Sequence, residues 1–522
     1  MNIDPIRLER QQAAFDRWRK GLLINNILKP AIGIIEAITG FGKTYILILA
    51  LKFMNTKHPD WNAIIVVPSS KLLDDWKGYW SEDHEGKKVW IKGHIEEHNL
   101  QNIQVFIVNT FVKFKDWKCD LLALDECHRY ANEDSQFFST VLQITAYKFL
   151  LAMSATLNSK QKAFFAGFNI PVVDTIGEIE GQKFGYVAPS IIYNLGIKLS
   201  KEDQKFNDEI NASFKYYFSR FNHEFDLVMA CNTKKGFPVG VRLKDGTYLG
   251  KRTSSEWIQH IARINHWDGT PNHTYSPENI AKNAAQCMNV IAKRRDKWQN
   301  FPSKLDVAVE IINKFKVQTI VFSETAKFAD KLTAKLPNIC VSYHSVLKTI
   351  AVKGSEIIEV TGGREESSDL KDQGYTIIGK EKRKMLAFKK FVDPNDPIRV
   401  ISAVRALDEG MDVPNIELGL QMAYNSTKRQ NTQRNGRPGR KDYNNLEKIA
   451  LIINLYMMGT QEEKWLRDKQ KDSKGAIWVE STDQISVNRI ISLSSNDRPK
   501  EIVIKPERIE ARASGSNASL TN

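Results

Sequence analysis

The sequence has few cysteines and no long apolar segment, and both absences narrow the class of protein. Its five cysteines are far apart and none forms a CxxC pair, which excludes a zinc ribbon and a disulfide framework and predicts a reducing, cytoplasmic location. The longest apolar run, Tyr45–Phe53, is well short of the ~20 residues that a membrane helix needs. The first residues are charged, so we expect no signal peptide. A membrane protein and a small secreted protein are therefore excluded.

The composition is that of a core-forming protein with a surplus of positive charge. Of 522 residues, 42% are hydrophobic and 26% are charged, which is unlike a disordered chain. The length suggests roughly three or four units of domain size. The formal net charge is +14, which favours a polyanionic partner.

Short apolar runs alternate with amphipathic segments in two separate parts of the chain. In the first part the runs are Ala31–Ile38, Ala63–Val67, Gln104–Val108, Leu121–Leu124 and Phe149–Met153. In the second part they are Val317–Phe322, Ile339–Tyr343, Ile398–Ala403, Ile416–Gln421 and Ile449–Asn454. Such alternation predicts an α/β fold with two parallel sheets, each binding ligands at the carboxyl ends of its strands.

The sequence between and after these parts predicts the remaining organisation. We predict a first domain at 1–165, a connector with a mainly helical accessory region at 166–302, a second domain at 303–460, and a C-terminal extension at 461–522. The last ten or so residues are polar and we expect them to be disordered.

The strongest single motif is Ala37-Ile-Thr-Gly-Phe-Gly-Lys-Thr44, between an apolar strand and a helical run. Gly40 and Gly42 let successive main-chain N–H groups face phosphate oxygens, Lys43 would neutralise the β and γ phosphates, and the Thr44 hydroxyl would ligate Mg²⁺. Ala37 departs from the general pattern, which begins with glycine. A simple glycine turn would explain the residues less well, because the strand–loop–helix context is also present.

A second motif, Asp125-Glu-Cys-His128, follows the apolar run Leu121–Leu124. Adjacent carboxylates at the end of a buried strand are costly unless they meet a cation. Asp125 could hold Mg²⁺, and Glu126 could activate the water that attacks the γ phosphate. A helix cap would be the ordinary explanation of the pair, but a phosphate loop some 80 residues upstream favours catalysis. We interpret Cys127 as a packing residue.

These motifs resemble those of the superfamily 2 helicases and translocases of the DExH type. Residues 37–44 are similar to motif I and residues 125–128 to motif II, while Val66–Trp76, Val108–Phe111 and Ser154–Thr156 are similar to motifs Ia, Ib and III. The resemblance implies that Thr39, Gly40, Phe41, Gly42, Lys43 and Thr44 bind ATP. A Q motif implies that Gln11 reads adenine, with Gln12 as the alternative.

The second part of the chain carries further motifs of the same family, in order. Residues 433–440 resemble motif VI, and the family assigns catalytic roles to the matching residues Gln433, Arg437 and Arg440, the two arginines as arginine fingers. Residues 404–414 resemble motif V, in which Gly410 and Asp412 couple nucleic acid to the nucleotide. Motif IV is matched by Val321–Ser323. A basic surface turn would have explained residues 433–440 had they stood alone.

The resemblance implies two RecA-like domains that hydrolyse ATP with Mg²⁺ and move along nucleic acid. A softer similarity of Asp174–Tyr193 to phage recombination helicases and restriction-enzyme translocases favours DNA over RNA, and remodelling of branched or forked duplexes as the specific task. If the chain is phage-encoded, its location is the host cytoplasm. The alternative is an RNA helicase of the same superfamily. A nucleic-acid-binding protein with a dead ATPase is disfavoured, because every catalytic position is present.

Two segments do not fit the family minimum. Gly354–Gly379 predicts a protruding hairpin that could separate strands or merely decorate the surface. Residues 265–280 carry His266, Asp268, Gly269, Asn272 and Asn279 with a spacing that resembles HNH-type nucleases. A polar loop between two helices explains that spacing more simply, and the usual downstream histidine ligand is absent.

Overall fold

The structure is a computed structural model. It describes residues 4–24, 27–82, 87–131, 138–232, 238–354, 356–404, 416–422, 438–440, 448–470 and 475–485.

The first domain is a parallel sheet covered by helices. Its elements are α1 (Pro5–Lys20), β1 (Leu22–Ile24), β2 (Ile27–Lys29), β3 (Ile32–Ala37), α2 (Lys43–Lys57), β4 (Ala63–Val67), α3 (Ser70–Lys77), β5 (Tyr79–Glu82), β6 (Lys88–Ile91), α4 (His94–Glu97), β7 (Ile103–Ile107), α5 (Val108–Phe111), β8 (Trp117–Leu124), β9 (Thr145–Ser154), α6 (Ser159–Gly167) and β10 (Val172–Ile176). Six strands pair in the order β10-β3-β9-β8-β4-β7, all parallel. Every residue of β4 is buried, as expected for an apolar strand covered on both faces.

A connecting segment and an accessory region follow. Their elements are α7 (Glu178–Lys183), β11 (Ser190–Ile197), α8 (Lys201–Ser219), α9 (Phe225–Cys231), β12 (Val239–Arg242), β13 (Tyr248–Arg252), α10 (Ser254–Ile264) and α11 (Pro277–Gln299). The accessory region, residues 200–300, has its own apolar core around Trp257, Ile261 and Cys287. It is mainly helical, as predicted, with one antiparallel hairpin formed by β12 and β13.

The second domain is also a parallel sheet. Its elements are α12 (Pro302–Phe315), β14 (Thr319–Ser323), α13 (Ala326–Lys335), β15 (Cys340–Tyr343), β16 (Ile350–Lys353), β17 (Glu356–Glu359), α14 (Gly363–Asp372), β18 (Thr376–Ile378), α15 (Lys380–Val392), β19 (Val400–Val404), β20 (Leu418–Gln421), β21 (Ala450–Met457), α16 (Gln461–Gln470) and β22 (Ile477–Val479). The strand order is β15-β19-β14-β20-β21-β11-β22, and all pairs are parallel. Two parallel-sheet domains with a helical accessory region confirm the predicted fold class.

Both sheets include strands from outside the predicted domain ranges, and the ranges themselves stay predictions. β10 extends the first sheet past residue 165, and β11 joins the second sheet from within the range 166–302 by pairing with β21. β22, within 461–522, pairs with β11. The buried ion pair of Lys304 with Glu462, 2.7 Å between Nζ and Oε2, also attaches α16 to the second domain. Parallel partners lie far apart in the chain, so local pattern did not reveal them.

The predicted hairpin at 354–379 is wrong. β17 and β18 do not pair with each other; each pairs antiparallel with β16, giving the order β17-β16-β18. The Gly-rich segment between them, predicted as a turn, forms α14 around a buried Leu370. This helix is amphipathic: Leu370 packs with Ala351 and Val360 of the small sheet, and the charged residues lie on the other faces.

Among the described residues, no helix combines the length and apolar character required to cross a membrane.

Candidate nucleotide site

The phosphate loop lies between β3 and α2, the strand–loop–helix context that its motif requires. Gly40 and Gly42 have φ of +89° and +90°, a left-handed conformation that favours glycine because a Cβ would be strained. Gly42 caps α2 with no side-chain hydrogen bond, so the first main-chain N–H groups of the helix have no capping side chain. A helix N-terminus of this kind is suited to phosphate.

Lys43 and the motif II carboxylates meet in front of this loop. Lys43 Nζ donates to the Ala37 carbonyl at 3.2 Å and lies 3.9 Å from Glu126 Oε1. Asp125 is buried at the end of β8 and accepts a hydrogen bond from the Glu126 N–H at 2.9 Å. Thr44, half-buried, is in the first turn of α2. The Asp125 carboxylate and Thr44 hydroxyl are the hard oxygen donors that Mg²⁺ prefers, so the residues fit the predicted ion.

Glu126 has a φ of +46°, which is uncommon for a residue with a side chain. Non-glycine residues in this conformation cost free energy and often occur at functional sites, where the surrounding structure holds them. The turn directs the Glu126 carboxylate to both Lys43 and His128, whose Nδ1 lies 3.3 Å from Glu126 Oε2. The strained turn therefore places a candidate general base beside the phosphate loop.

His128 joins motif II to motif III. Its Nδ1 lies 2.8 Å from Ser154 Oγ at the end of β9, and Ser154 Oγ donates to the Thr156 carbonyl at 3.2 Å. Because the serine proton is used on Thr156, we assign a proton to His128 Nδ1. The Gln161 amide donates to the His128 carbonyl at 2.9 Å. The hydrogen bonds therefore run from His128 to the Ser154–Thr156 segment, and Glu126 meets this path through its 3.3 Å contact with His128.

Cys127 is a packing residue, as interpreted from the sequence. It is buried, and burial together with the neighbouring Glu126 and Asp125 carboxylates raises the pKa of its thiol well above the usual range. A thiolate nucleophile is therefore excluded at this position.

The structure brings Gln11, and not Gln12, to the phosphate loop. Gln11 is buried on α1, and its Nε2 donates to the Phe41 and Gly42 carbonyls at 2.7 and 3.2 Å. Gln12 is exposed and its amide donates instead to Asp16. Adenine recognition by Gln11 stays a prediction, but this residue is positioned to sense the loop.

A buried ion cluster beside the loop was missed from the sequence. The Arg10 guanidinium donates to both Asp174 oxygens at 2.5 and 3.0 Å and to Glu180 at 2.7 Å, and Arg17 also pairs with Asp174. Burial opposes the charge of Arg10, but its hydrogen bonds to Asp174 and Glu180 outweigh this and raise its pKa. The partners are more than 150 residues apart in the chain, and no sequence motif marks the pairing.

The segment after this cluster touches both halves of the site. The Tyr186 ring packs edge-on against Phe41 of the phosphate loop, with centroids 5.3 Å apart. Two residues later, the Ala188 N–H donates to the Gly439 carbonyl at 2.8 Å. A short connecting segment thus joins the phosphate loop to the motif VI segment.

Arg440 lies directly against the phosphate loop. A Cβ placed on Gly40 would be 3.2 Å from Arg440 Cγ, and Lys448 Nζ donates to the Arg440 carbonyl at 2.9 Å. The remaining predicted residues of motifs V and VI, Gly410, Asp412, Gln433 and Arg437, lie outside the described residues. The structure therefore brings one predicted arginine to the loop, and the roles of all five stay predictions.

The nuclease-like segment does not form a metal site. Residues 265–276 connect α10 to α11, and the Asp268 carboxylate accepts hydrogen bonds from both the N–H and the hydroxyl of Thr270. Within the described part of the chain, the metal-capable group whose ligand atoms lie within 4.8 Å of one another is His94, Glu97 and His98. The simpler explanation, a polar loop between helices, holds.

Comparisons with known proteins point to the family inferred from the motifs. Residues 7–159 match the family described as type III restriction enzyme, res subunit. The DNA 3'-5' translocase XPB2 of Sulfurisphaera tokodaii is 24% identical over 452 residues, which cover 85% of this chain and 82% of that protein.

Solved structures with a similar fold include two helicase proteins. S. cerevisiae Dbp5 bound to RNA and ADP BeF3 has 14% identity and a TM-score of 0.46, covering 94% of this chain and 98% of that one. The Pyrococcus furiosus Hef helicase domain has 12% identity and a TM-score of 0.44, covering 88% and 97%.

The subfamily similarity to phage recombination helicases stays a prediction. The motif order, the family match over the first domain and the relative that aligns along most of the chain all agree. These findings support the resemblance of this chain to the superfamily 2 helicases and translocases that its motifs indicated.

Proposed function

We propose that this chain is an ATP-dependent DNA translocase that separates or remodels branched or forked duplexes. The observation that carries the proposal is the contact between Gly40 and Arg440. Gly40 belongs to the loop after β3 in the first sheet, and Arg440 lies between β20 and β21 of the second. A nucleotide held by both would bind fully only when the two domains meet, and hydrolysis would release them.

The residues around the loop support ATP hydrolysis. The N–H groups of the loop and of α2 would hold the phosphates, with Lys43 pairing to the β and γ oxygens. Mg²⁺, when bound to Thr44 and Asp125, would neutralise phosphate charge and orient the oxygens. Glu126 would take the proton of the attacking water, and Arg437 and Arg440 would stabilise the charge that develops in the transition state.

The contact of Glu126 with His128, followed by the hydrogen bond of His128 with Ser154, gives hydrolysis a physical connection to the rest of the domain. Ser154 ends β9, the strand between β3 and β8 in the first sheet. A shift of the Glu126 carboxylate on hydrolysis would change its contact with His128 and be felt at the Ser154–Thr156 segment. This is the coupling that a motor requires between its nucleotide and its track.

The net charge of +14 suits a polyanion such as a nucleic acid. DNA as the track is supported by the relative that aligns with 85% of the chain, which is named a DNA 3'-5' translocase. RNA is the alternative, because nothing in the motor motifs reads a 2'-hydroxyl. A cytoplasmic location also stays a prediction, supported by five buried cysteines without disulfides.

The first test is the steady-state ATPase rate at one fixed salt concentration. Single-stranded DNA, forked DNA, four-way DNA junctions and single-stranded RNA are compared, with Lys43→Ala as the blank. We expect turnover to require Mg²⁺, to vanish in Lys43→Ala, and to be stimulated most by branched DNA.

Each alternative outcome has a distinct meaning. Stimulation by RNA alone would overturn the choice of DNA and leave the motor assignment intact. Retained turnover in Lys43→Ala would refute the assignment of the phosphate loop. Stimulation by single-stranded DNA, with no further gain from forks or junctions, would remove the branched substrate from the proposal.

A further inference from the structure

The β12–β13 hairpin of the accessory region has one apolar face and one basic face. Its inward face contributes Val241, Leu243 and Leu249 to the core around Trp257, whose Nε1 donates to the Val239 carbonyl at 2.9 Å. The hairpin is therefore held against the accessory core by its inward face.

The outward face carries an exposed aromatic ring and two cations. Cross-strand pairing matches Arg242 with Tyr248 and Gly240 with Lys251, with a register shift between the two pairs. The shift adds one residue to β13, so Tyr248 and Lys251 lie on the same face although they are three residues apart. The Tyr248 side chain is 51% exposed, and Arg242 and Lys251 are also exposed. The Arg242 guanidinium lies 5.5 Å from the centre of the Tyr248 ring, and its Nη1 donates to the Gly246 carbonyl at 3.0 Å, so the arginine is held in place.

The nearby carboxylates do not cover this face. Glu224 and Asp226 accept hydrogen bonds from the main-chain N–H groups of Lys244 and Arg242, along the edge of β12. Asp245, at the turn, accepts from the Thr247 N–H at 2.8 Å. The acids therefore bond the backbone at the edge and tip of the hairpin, while the cations project from its outward face.

We propose that Arg242, Tyr248 and Lys251 form a DNA-binding face on the accessory region, separate from the motor motifs. Two cations and an exposed ring on one face are the groups that bind a sugar-phosphate strand, where phosphates pair with cations and a base or sugar packs on the ring. Gly240 keeps this face flat, because a Cβ there would meet the Tyr248 ring. The inference rests on the proposed function, since it assumes that DNA is the track.

The test measures binding of the full chain to a labelled forked DNA by fluorescence anisotropy over a range of salt concentrations. In the triple variant Arg242→Ala/Tyr248→Ala/Lys251→Ala we expect the Kd to rise about tenfold or more. The slope of log Kd against log salt should fall by about 1.4 on a single strand or about 1.8 on duplex, because two phosphate contacts are lost. Tyr248→Ala alone should weaken binding about fivefold with little change in slope.

A matched triple variant on α8, Lys205→Ala/Lys215→Ala/Tyr216→Ala, removes two exposed lysines and one exposed tyrosine from the same region. It should change the Kd less than twofold. Equal losses in both triples, or an unchanged Kd and slope in the hairpin triple, would overturn the proposal. If the hairpin triple variant has a lowered melting temperature, the double variant Arg242→Gln/Lys251→Gln, which keeps the ring, is used instead. The same fall in the slope of log Kd against log salt is then expected. Wild-type protein that binds no DNA would instead refute the proposed function.

Discussion

Arg440 packs against Gly40, its Cγ 3.2 Å from where a Cβ on that glycine would lie. Gly40 also has a left-handed φ of +89°. In Gly40→Ala, strain of about 1–2 kcal/mol adds to crowding of the arginine. We expect ATPase turnover to fall at least ~10-fold, since about 1.4 kcal/mol of lost transition-state stabilisation gives that factor. Steady-state kinetics of the purified variant check this.

Gly269→Ala is the control for backbone strain alone. Gly269 has a similar φ of +91° but nothing within 4 Å of an added Cβ. This variant should lose some stability and keep its turnover. Equal loss of turnover in both variants would mean that strain, and not the contact with Arg440, matters at Gly40.

Glu126→Gln should bind ATP and hydrolyse it slowly. The amide keeps the shape of the side chain but cannot accept the proton of the attacking water, a role that contributes about 10²–10⁴-fold. Single-turnover hydrolysis and equilibrium binding of a fluorescent nucleotide separate the two steps. Glu202→Gln, on the exposed surface of α8, is the control. Unchanged turnover in Glu126→Gln would remove this residue as the base.

Arg10→Met should destabilise the first domain by about 3 kcal/mol. The change removes the ion pairs of Arg10 with Asp174 and Glu180, while the pair of Arg17 with Asp174 stays. Breaking a buried ion pair is costly because a charge stays desolvated. Urea unfolding followed by tryptophan fluorescence measures the loss. Arg19→Met removes an exposed pair with Asp16 and should cost less than about 1 kcal/mol. Similar losses in both variants would show that burial of the cluster adds nothing to the free energy of unfolding.

All five cysteines should resist thiol reagents in the folded protein. Each is buried, and desolvation raises the pKa of Cys119 and Cys231 to about 12 and that of Cys287 and Cys340 to about 11. Because the thiolate is the reactive form, little is present at pH 8. Ellman's reagent should detect no fast-reacting thiol in native protein and five in guanidinium. A fast-reacting native thiol would contradict this burial.

The motor motifs could be predicted because each is a local pattern with local physical meaning. A glycine loop between a strand and a helix produces the left-handed turns at Gly40 and Gly42, whatever the rest of the chain does. Asp125 and Glu126 likewise directly follow the buried strand β8, so they lie at the carboxyl end of the sheet. For the same reason the main strands of both sheets lie within a few residues of their predicted positions.

Predictions failed where the decisive partner is distant or where local propensity was ambiguous. β11 pairs with β21 some 260 residues away, so its membership of the second sheet left no local signal. The segment at 363–372 has turn residues and charges, yet it forms a helix because Leu370 finds an apolar surface at Ala351 and Val360. The buried pairing of Arg10 with Asp174 escaped notice for the first of these reasons.

The sequence by itself determined the phosphate loop, the pair of carboxylates and the two-sheet architecture, because strand periodicity and loop chemistry depend on neighbouring residues. Only the tertiary structure brought Gln11 to the phosphate loop, attached α16 to the second domain through Lys304, and placed Arg440 against Gly40. Those contacts join residues that are far apart in the chain and are buried against each other only after folding. The free energy of burying such residues is a property of the folded chain and not of any single segment.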